Sequence, residues 1–140
     1  MSNPSFSSHS LAEWLDHILA LHPSEIDLGL TRLRDVAERM ALLSLPDSRV
    51  ITVAGTNGKG STQAMIRAGL EGWGKAAHAY TSPHLVRFHE RVRLAGDLIS
   101  ETDLAALLDE CEAANDGAPI TFFEITTCAA LLAFSRVPAN

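Results

Sequence analysis

The sequence has 140 residues, 46% of them hydrophobic and 20% charged, a balance that suits one soluble globular domain and excludes a chain too polar to fold. A formal net charge of -6 argues against bulk binding to nucleic acid or to an anionic membrane. No stretch reaches the ~20 apolar residues of a membrane helix, and the start, Met1-Ser2-Asn3-Pro4-Ser5, lacks the basic patch and hydrophobic run of a secretory signal, so a cytoplasmic protein is expected.

Ser10 and Glu13 have the spacing of a helix capping box, and Leu11, Trp14, Leu15, Ile18 and Leu19 recur every three and four residues. They predict an amphipathic helix ending near His22-Pro23. His17 and His22, without partners at metal spacing, read as surface or helix-end residues rather than ligands. After Ile26-Asp27-Leu28-Gly29-Leu30 a second helix is expected, with Leu33, Val36, Ala37, Met40 and Leu43 on one face and Pro46-Asp47 as its stop. Asp27 by itself is most simply a residue at that helix's N-terminus.

Val50-Ile51-Thr52-Val53 favours a strand and runs into Ala54-Gly55-Thr56-Asn57-Gly58-Lys59-Gly60-Ser61-Thr62, followed by a helix-compatible segment from Gln63. Such a turn builds a phosphate cradle: glycines let backbone N–H groups crowd an anion, the helix start adds positive partial charge, Lys59 adds a cation and a hydroxyl can hold Mg²⁺. The spacing departs from the standard phosphate loop, with Val53 six residues before Lys59 where glycine is usual and Gly60 where Ser or Thr is usual. Seven of the 11 basic residues (Arg49, Lys59, Arg67, Lys75, Arg87, Arg91, Arg93) fall between 49 and 93, against only Glu71 and Glu90.

Gly72-Trp73-Gly74 should stop the helix, and Ala76 to Tyr80 should follow as a strand parallel to the first, a βαβ beginning. Thr81-Ser82-Pro83-His84-Leu85 then lies beyond a strand's carboxyl end, where open parallel sheets present ligands, although a proline turn explains it equally well. Arg91 to Leu94, a turn at Ala95-Gly96-Asp97 and Leu98-Ile99 read as a hairpin. Ser100 and Asp103 open a helix over 101–114, and Asn115-Asp116-Gly117-Ala118-Pro119 is a loop. The segment from Thr121 to Phe134 is apolar nearly all round and predicts a buried helix, with Thr121 and Glu124 again at capping-box spacing. Cys111 and Cys128, in apolar helical patterns, are expected as buried free thiols.

Taken together, these stretches resemble the dihydrofolate synthase/folylpolyglutamate synthase family of the Mur ligase superfamily. Gly55-Thr56-Asn57-Gly58-Lys59-Gly60-Ser61 is similar to that superfamily's own phosphate loop, which accounts for the irregular spacing. Asp27-Leu28-Gly29-Leu30, Ser82-Pro83-His84-Leu85 with Glu90-Arg91-Val92-Arg93, and Thr121-Phe122-Phe123-Glu124 resemble the folate branch. The likeness runs from about Leu11 to Phe134 and covers only the first third of such an enzyme, so an N-terminal piece, catalytically incompetent alone, is expected.

The resemblance implies an α/β fold: the N-terminal part of a P-loop-containing Mur ligase-type ATP-binding domain, a parallel sheet flanked by helices. Its divisions would be a helical segment 10–45, a phosphate-loop unit 49–80, and a substrate-side loop with helices over 81–136. It implies a ligase that joins L-glutamate to dihydropteroate and extends folates with γ-linked glutamates through an acyl phosphate, using ATP and Mg²⁺. Lys59 would be catalytic, Gly55 to Ser61 would bind ATP, and Ser82, with Ser61 as a second hydroxyl, would meet the metal. Asp27, Leu28, Gly29, Leu30, Thr121, Phe122, Phe123 and Glu124 would bind dihydropteroate. Small-molecule substrates, no nucleic acid, no membrane and a monomeric full-length enzyme complete the expectation. Two other readings stay open: another Mur-type amide ligase of cell-wall synthesis, and a non-catalytic nucleotide-binding module.

Overall fold

The computed structural model describes residues 9–21, 29–43 and 49–139. They form α1 (Leu11–Leu21), α2 (Thr31–Arg39), α3 (Lys59–Gly72), β1 (Ala79–Tyr80), a 3-10 turn (Phe88–Arg91), β2 (Val92–Leu94), β3 (Asp97–Leu98), α4 (Glu101–Asn115) and α5 (Phe122–Arg136). They fall into two compact units, one drawn from Met1–Ser44 and Ser100–Ala133, the other from Leu45–Ile99 and Phe134–Asn140. Among the described residues no helix is long and apolar enough to cross a membrane.

Among the described residues the regular structure of the first unit is all helical, and its helices start where the caps put them. Glu13 N–H donates to Ser10 Oγ at 3.3 Å while Ser10 N–H donates back to Glu13 Oε2 at 2.7 Å, the reciprocal box that satisfies two orphan donors of α1. Ser100 caps α4 on one side only, its Oγ accepting from Asp103 N–H at 3.0 Å and donating to the Asp103 carboxylate at 2.7 Å. The apolar stripes then close on one another: Trp14 and Ile18 of α1, Val36 of α2, Leu104 and Leu108 of α4, and Ile125 and Cys128 of α5 are all at most 2% exposed. Each of the buried aliphatic side chains contributes roughly 1.5–3 kcal/mol by leaving water. Polar pins fix the register, with Trp14 Nε1–H donating to Asp109 at 2.8 Å and Arg39 donating to the Ala114 carbonyl at the end of α4 at 2.9 Å. Arg39 there also places a cation at the negative end of the helix.

α2 ends earlier than its apolar pattern suggests. Ala41 takes φ 57°, Leu42 N–H donates to the Ala37 carbonyl at 2.8 Å and Ala41 N–H to the Glu38 carbonyl at 3.0 Å, a Schellman stop. The chain therefore leaves the helix before Leu43, so Leu42 is buried at 5% and Leu43 is 55% exposed, the reverse of the expected face. Pro46-Asp47, expected to end the helix, lies outside the described residues, as does His22. His17 is half-buried against Trp14 and 3.9 Å from Glu112, so it faces a neighbouring helix rather than open solvent.

The second unit holds the small sheet, ordered β1-β2-β3 and antiparallel throughout, with Ala79 opposite Arg93 and Arg93 opposite Leu98. Ala95 (φ 51°) and Gly96 (φ 100°) make the two-residue turn between β2 and β3 with the positive φ that a tight hairpin needs. His78 stitches the unit together: its ring stacks on Phe134 at 4.8 Å, Nδ1 accepts from Ala95 N–H at 3.0 Å, and Nε2, which must then carry the proton, donates to the Val137 carbonyl at 2.9 Å. The expected strand at residues 50–53 is absent. A strand requires a partner, and among the described residues none pairs with that segment; Val50 and Ile51 stand 80% and 59% exposed. β1 consequently pairs antiparallel with β2 instead of parallel with residues 50–53. α3 ends as its glycines predict, with Gly74 at φ 76° and Lys75 N–H bonded to the Leu70 carbonyl at 2.9 Å, yet it has no buried residue, and Trp73 at its end is 78% exposed.

Candidate functional site

The glycine loop sits in the second unit. Gly55 and Gly58 take φ of 146° and 76°, conformations that cost an L side chain strain and bend the chain into the start of α3. Gly58 is the N-cap of α3, and no side chain caps that helix end. The first intrahelical bond is Thr62 N–H to the Gly58 carbonyl at 3.0 Å, so the N–H groups of Lys59, Gly60 and Ser61 precede the helical ladder and face outward as donors. Gly55, Thr56, Asn57, Gly58, Gly60 and Ser61 are exposed. The Lys59 ammonium folds back over the loop and donates to the Gly55 carbonyl, with the Thr56 carbonyl 3.5 Å away. Open donors, a positive helix end and a folded-in cation make a surface that takes an anion.

Ser82 belongs to the same unit, exposed, on a loop tied at several points. Upstream, Thr81 N–H donates to the Arg91 carbonyl at 2.9 Å. Downstream, His84 Nδ1 accepts from Arg91 Nε at 3.1 Å, its ring meets Phe88 edge-on at 5.6 Å, and Arg91 lies over the Phe88 ring at 5.0 Å. The Glu90 carboxylate accepts from the N–H groups of Leu85, Val86 and Arg87 at 3.0, 3.3 and 2.8 Å.

The other candidate residues lie in the first unit. Asp27 and Leu28 fall outside the described residues. Gly29 and Leu30 lead into α2, Leu30 being 70% exposed. At the start of α5, Thr121 and Glu124 form the expected box: Thr121 N–H and Oγ1–H donate to Glu124 Oε2 at 2.8 and 2.7 Å, and Glu124 N–H donates to Thr121 Oγ1 at 3.3 Å. The same Oε2 accepts from Arg32 Nε at 3.1 Å, which joins the beginnings of α2 and α5. Glu124 is 3% exposed, and its second oxygen, Oε1, is a buried acceptor without a hydrogen bond among the described residues. Phe122 is half-buried and Phe123 is 49% exposed, so Phe123 is not a core residue. Cys128 donates to the Leu33 carbonyl at 3.8 Å, and burial first, then the charge of Glu124, pushes its thiol up to about 12, which leaves it inert.

Sequence reasoning named Glu90 only as part of the Glu90-Arg91-Val92-Arg93 stretch and gave neither it nor Arg32 a role, and only Arg32 left a local signal. A cation in the first turn of a helix opposes the helix dipole, so an acidic partner for Arg32, here Glu124, offsets an unfavourable placement. Nothing local marked Glu90 as the ligand of three successive N–H groups.

No family model matches the chain. It is 43% identical over 126 residues to the dihydrofolate synthase/folylpolyglutamate synthase of Escherichia coli K12, covering 90% of this chain and 30% of that protein. The fold superposes on the Escherichia coli enzyme in complex with DHPP and ADP with a TM-score of 0.90 at 39% identity, covering 99% of this chain and 33% of the other. A bifunctional folylpolyglutamate synthase/dihydrofolate synthase with Mn, AMPPNP and L-glutamate bound gives 0.85 at 38% identity, over 95% of this chain and 32% of that one. The chain thus spans about a third of the length of these three proteins.

Proposed function

We propose that the chain belongs to the dihydrofolate synthase/folylpolyglutamate synthase family and supplies the phosphate loop and the pteroate-binding edge of an ATP-dependent glutamate ligase. The observation that carries this reading is the uncapped N-terminus of α3 beside Gly55 to Gly58, with Lys59 folded over it. The reaction is ATP plus dihydropteroate plus L-glutamate giving dihydrofolate, ADP and phosphate, with γ-glutamyl extension of folates by the same chemistry. A carboxylate is a poor electrophile, so it attacks the γ-phosphate to form an acyl phosphate, and the glutamate amine then displaces phosphate. Such phosphoryl transfer asks mainly for positioning and charge neutralisation.

Gly55 to Ser61 hold the phosphates through their N–H groups. Lys59 exchanges the loop carbonyls for the γ-phosphate and follows its charge. Mg²⁺ takes hard oxygen ligands and keeps several of them as water and phosphate, so one or two protein donors suffice. Among the described residues no group of three or more His, Cys, Asp and Glu side chains is placed to hold a metal, and the exposed Ser82 hydroxyl, with Ser61 as a second, fits as the chain's share of such a site. When bound, the ion neutralises phosphate charge. In the first unit, Asp27 to Leu30 and Thr121 to Glu124 take dihydropteroate: exposed Leu30 and Phe123 offer apolar contact to its rings, and the spare Glu124 oxygen accepts from ring N–H groups. These residues form the leading part of a Mur ligase-type ATP-binding domain, divided at 10–45, 49–80 and 81–136, in a monomeric cytoplasmic enzyme that acts on small molecules and not on nucleic acid or membrane.

Within an enzyme of full family length, Lys59→Ala is expected to lower turnover by roughly 10²–10³-fold while leaving dihydropteroate affinity within a factor of two or so. Asp27→Ala is expected to do the reverse. Steady-state kinetics with direct substrate titration separates the two, and near-normal turnover in the Lys59 variant would remove the phosphate assignment.

A further inference from the structure

Beyond His84, which packs on Phe88, the loop that carries Ser82 is ordered at residues 85–87 by hydrogen bonds and not by apolar packing of their side chains. Leu85 and Val86 are 93% and 80% exposed, so neither side chain anchors its own backbone. What holds residues 85–87 is the Glu90 carboxylate, with Oε2 on the Leu85 and Val86 N–H groups and Oε1 on that of Arg87. Three successive N–H groups turned to one side are a concavity that binds an anion, and here the chain fills it with its own. The bond from Arg87 N–H is the capping bond of the 3-10 turn, and those from Leu85 and Val86 lie beyond what that cap needs. Arg87 N–H first and Leu85 N–H next hold Glu90 below the usual carboxylate range, so the grip is that of a charged group at neutral pH.

Ser82 lies between this clamp and the Thr81–Arg91 backbone bond, with only Pro83 and His84 separating it from Leu85. His84 is itself held by Arg91. A serine hydroxyl contributes one neutral oxygen to a cation, so its value depends on standing at a fixed distance from the phosphate loop. From this arrangement we infer that Glu90 is a positioning residue, fixing the backbone of residues 85–87 so that the Ser82 hydroxyl is preorganised for the cation accompanying the nucleotide. The inference rests on the phosphate-loop reading above and adds to it a residue that touches neither nucleotide nor metal.

The test uses the 140-residue chain with Glu90→Ala, Glu90→Gln and Lys59→Ala. Amide hydrogen exchange at Leu85, Val86 and Arg87 reports the clamp, and ATP titrations with Mn²⁺ and with EDTA separate the metal-dependent part of binding from the rest. Glu90→Ala is expected to speed exchange at the three amides by about 10-fold or more and to cut the Mn²⁺-dependent gain in ATP affinity by about 3- to 10-fold. Metal-free ATP affinity and exchange in α4 should not change. Glu90→Gln, which keeps one carbonyl acceptor, should fall between Ala and the parent. Unchanged exchange in Glu90→Ala, an intact Mn²⁺ gain, or an equal loss with and without Mn²⁺ would each overturn the role. If the parent chain binds ATP no better than Lys59→Ala with or without Mn²⁺, the phosphate-loop reading fails and takes the metal-facing role with it. That outcome is recognisable because the exchange at residues 85–87 would still respond to Glu90.

Discussion

Gly58 and Gly60 flank the lysine of the phosphate loop but do different physical work. An added Cβ at either meets nothing within 4 Å, so space does not distinguish them; Gly58 alone has φ of 76°. Gly58→Ala should therefore cost about 1–2 kcal/mol of stability through backbone strain. Gly60→Ala, inside the first turn of α3, should gain roughly 0.5–1 kcal/mol because alanine loses less backbone entropy in a helix. Urea unfolding of the two variants checks this, and equal shifts would refute the division. The place of Lys59, at the start of α3 and folded over the glycine loop, was legible in the sequence because the glycines and the apolar run before them mark a turn into a helix. The fate of Glu124 was legible only in part: the spacing to Thr121 announced the cap, while the pairing with Arg32 depends on how α2 and α5 meet and has no local signature.

α4 carries two carboxylates against the first unit's interior, and they set a pH dependence for its packing. Burial raises Glu112 above its ordinary 4.5, opposed by the charge of His17 and the Asn115 side chain, and burial raises Asp109 above 3.8, opposed by the Trp14 hydrogen bond. A folded state that holds a proton more tightly than the unfolded chain is favoured below the ordinary value and loses that advantage as pH rises through the folded one. Glu112→Gln, permanently neutral, should therefore gain stability relative to the parent between pH 4 and pH 7, measured as the difference in unfolding free energy at the two pH values. A constant or opposite difference would sink the account. Helix starts were readable at this scale because Ser10, Ser100 and Thr121 each have an acid three residues on, a local chemical cause. The end of α2 and the missing strand at 50–53 were not. Ala41 adopts a positive φ that its side chain does not advertise, and strand formation at Val50 to Val53 depends on a partner that no residue in that stretch specifies.

Across the whole molecule, burial is unevenly shared. α4 and α5 have seven and eight buried residues, whereas α3 has none. Local opening free energy follows buried apolar contact, so amides of α3 from Thr62 onward should exchange faster than those of Leu104 to Cys111 by at least about 100-fold under native conditions. Comparable protection in the two helices would contradict this. The α/β class was legible because helical and strand periods alternate along the chain, but the antiparallel pairing of the small sheet was not, since nothing local tells β1 which neighbour to choose. The two tryptophans divide along the same line: Trp14 is 1% exposed and hydrogen-bonded in the first unit, and Trp73 is 78% exposed at the end of α3 in the second. The chain therefore contains its own pair of optical probes. Iodide should quench the red-shifted emission of Trp73 and spare the blue-shifted emission of Trp14, so one cuvette can follow the two units separately as denaturant or nucleotide is added.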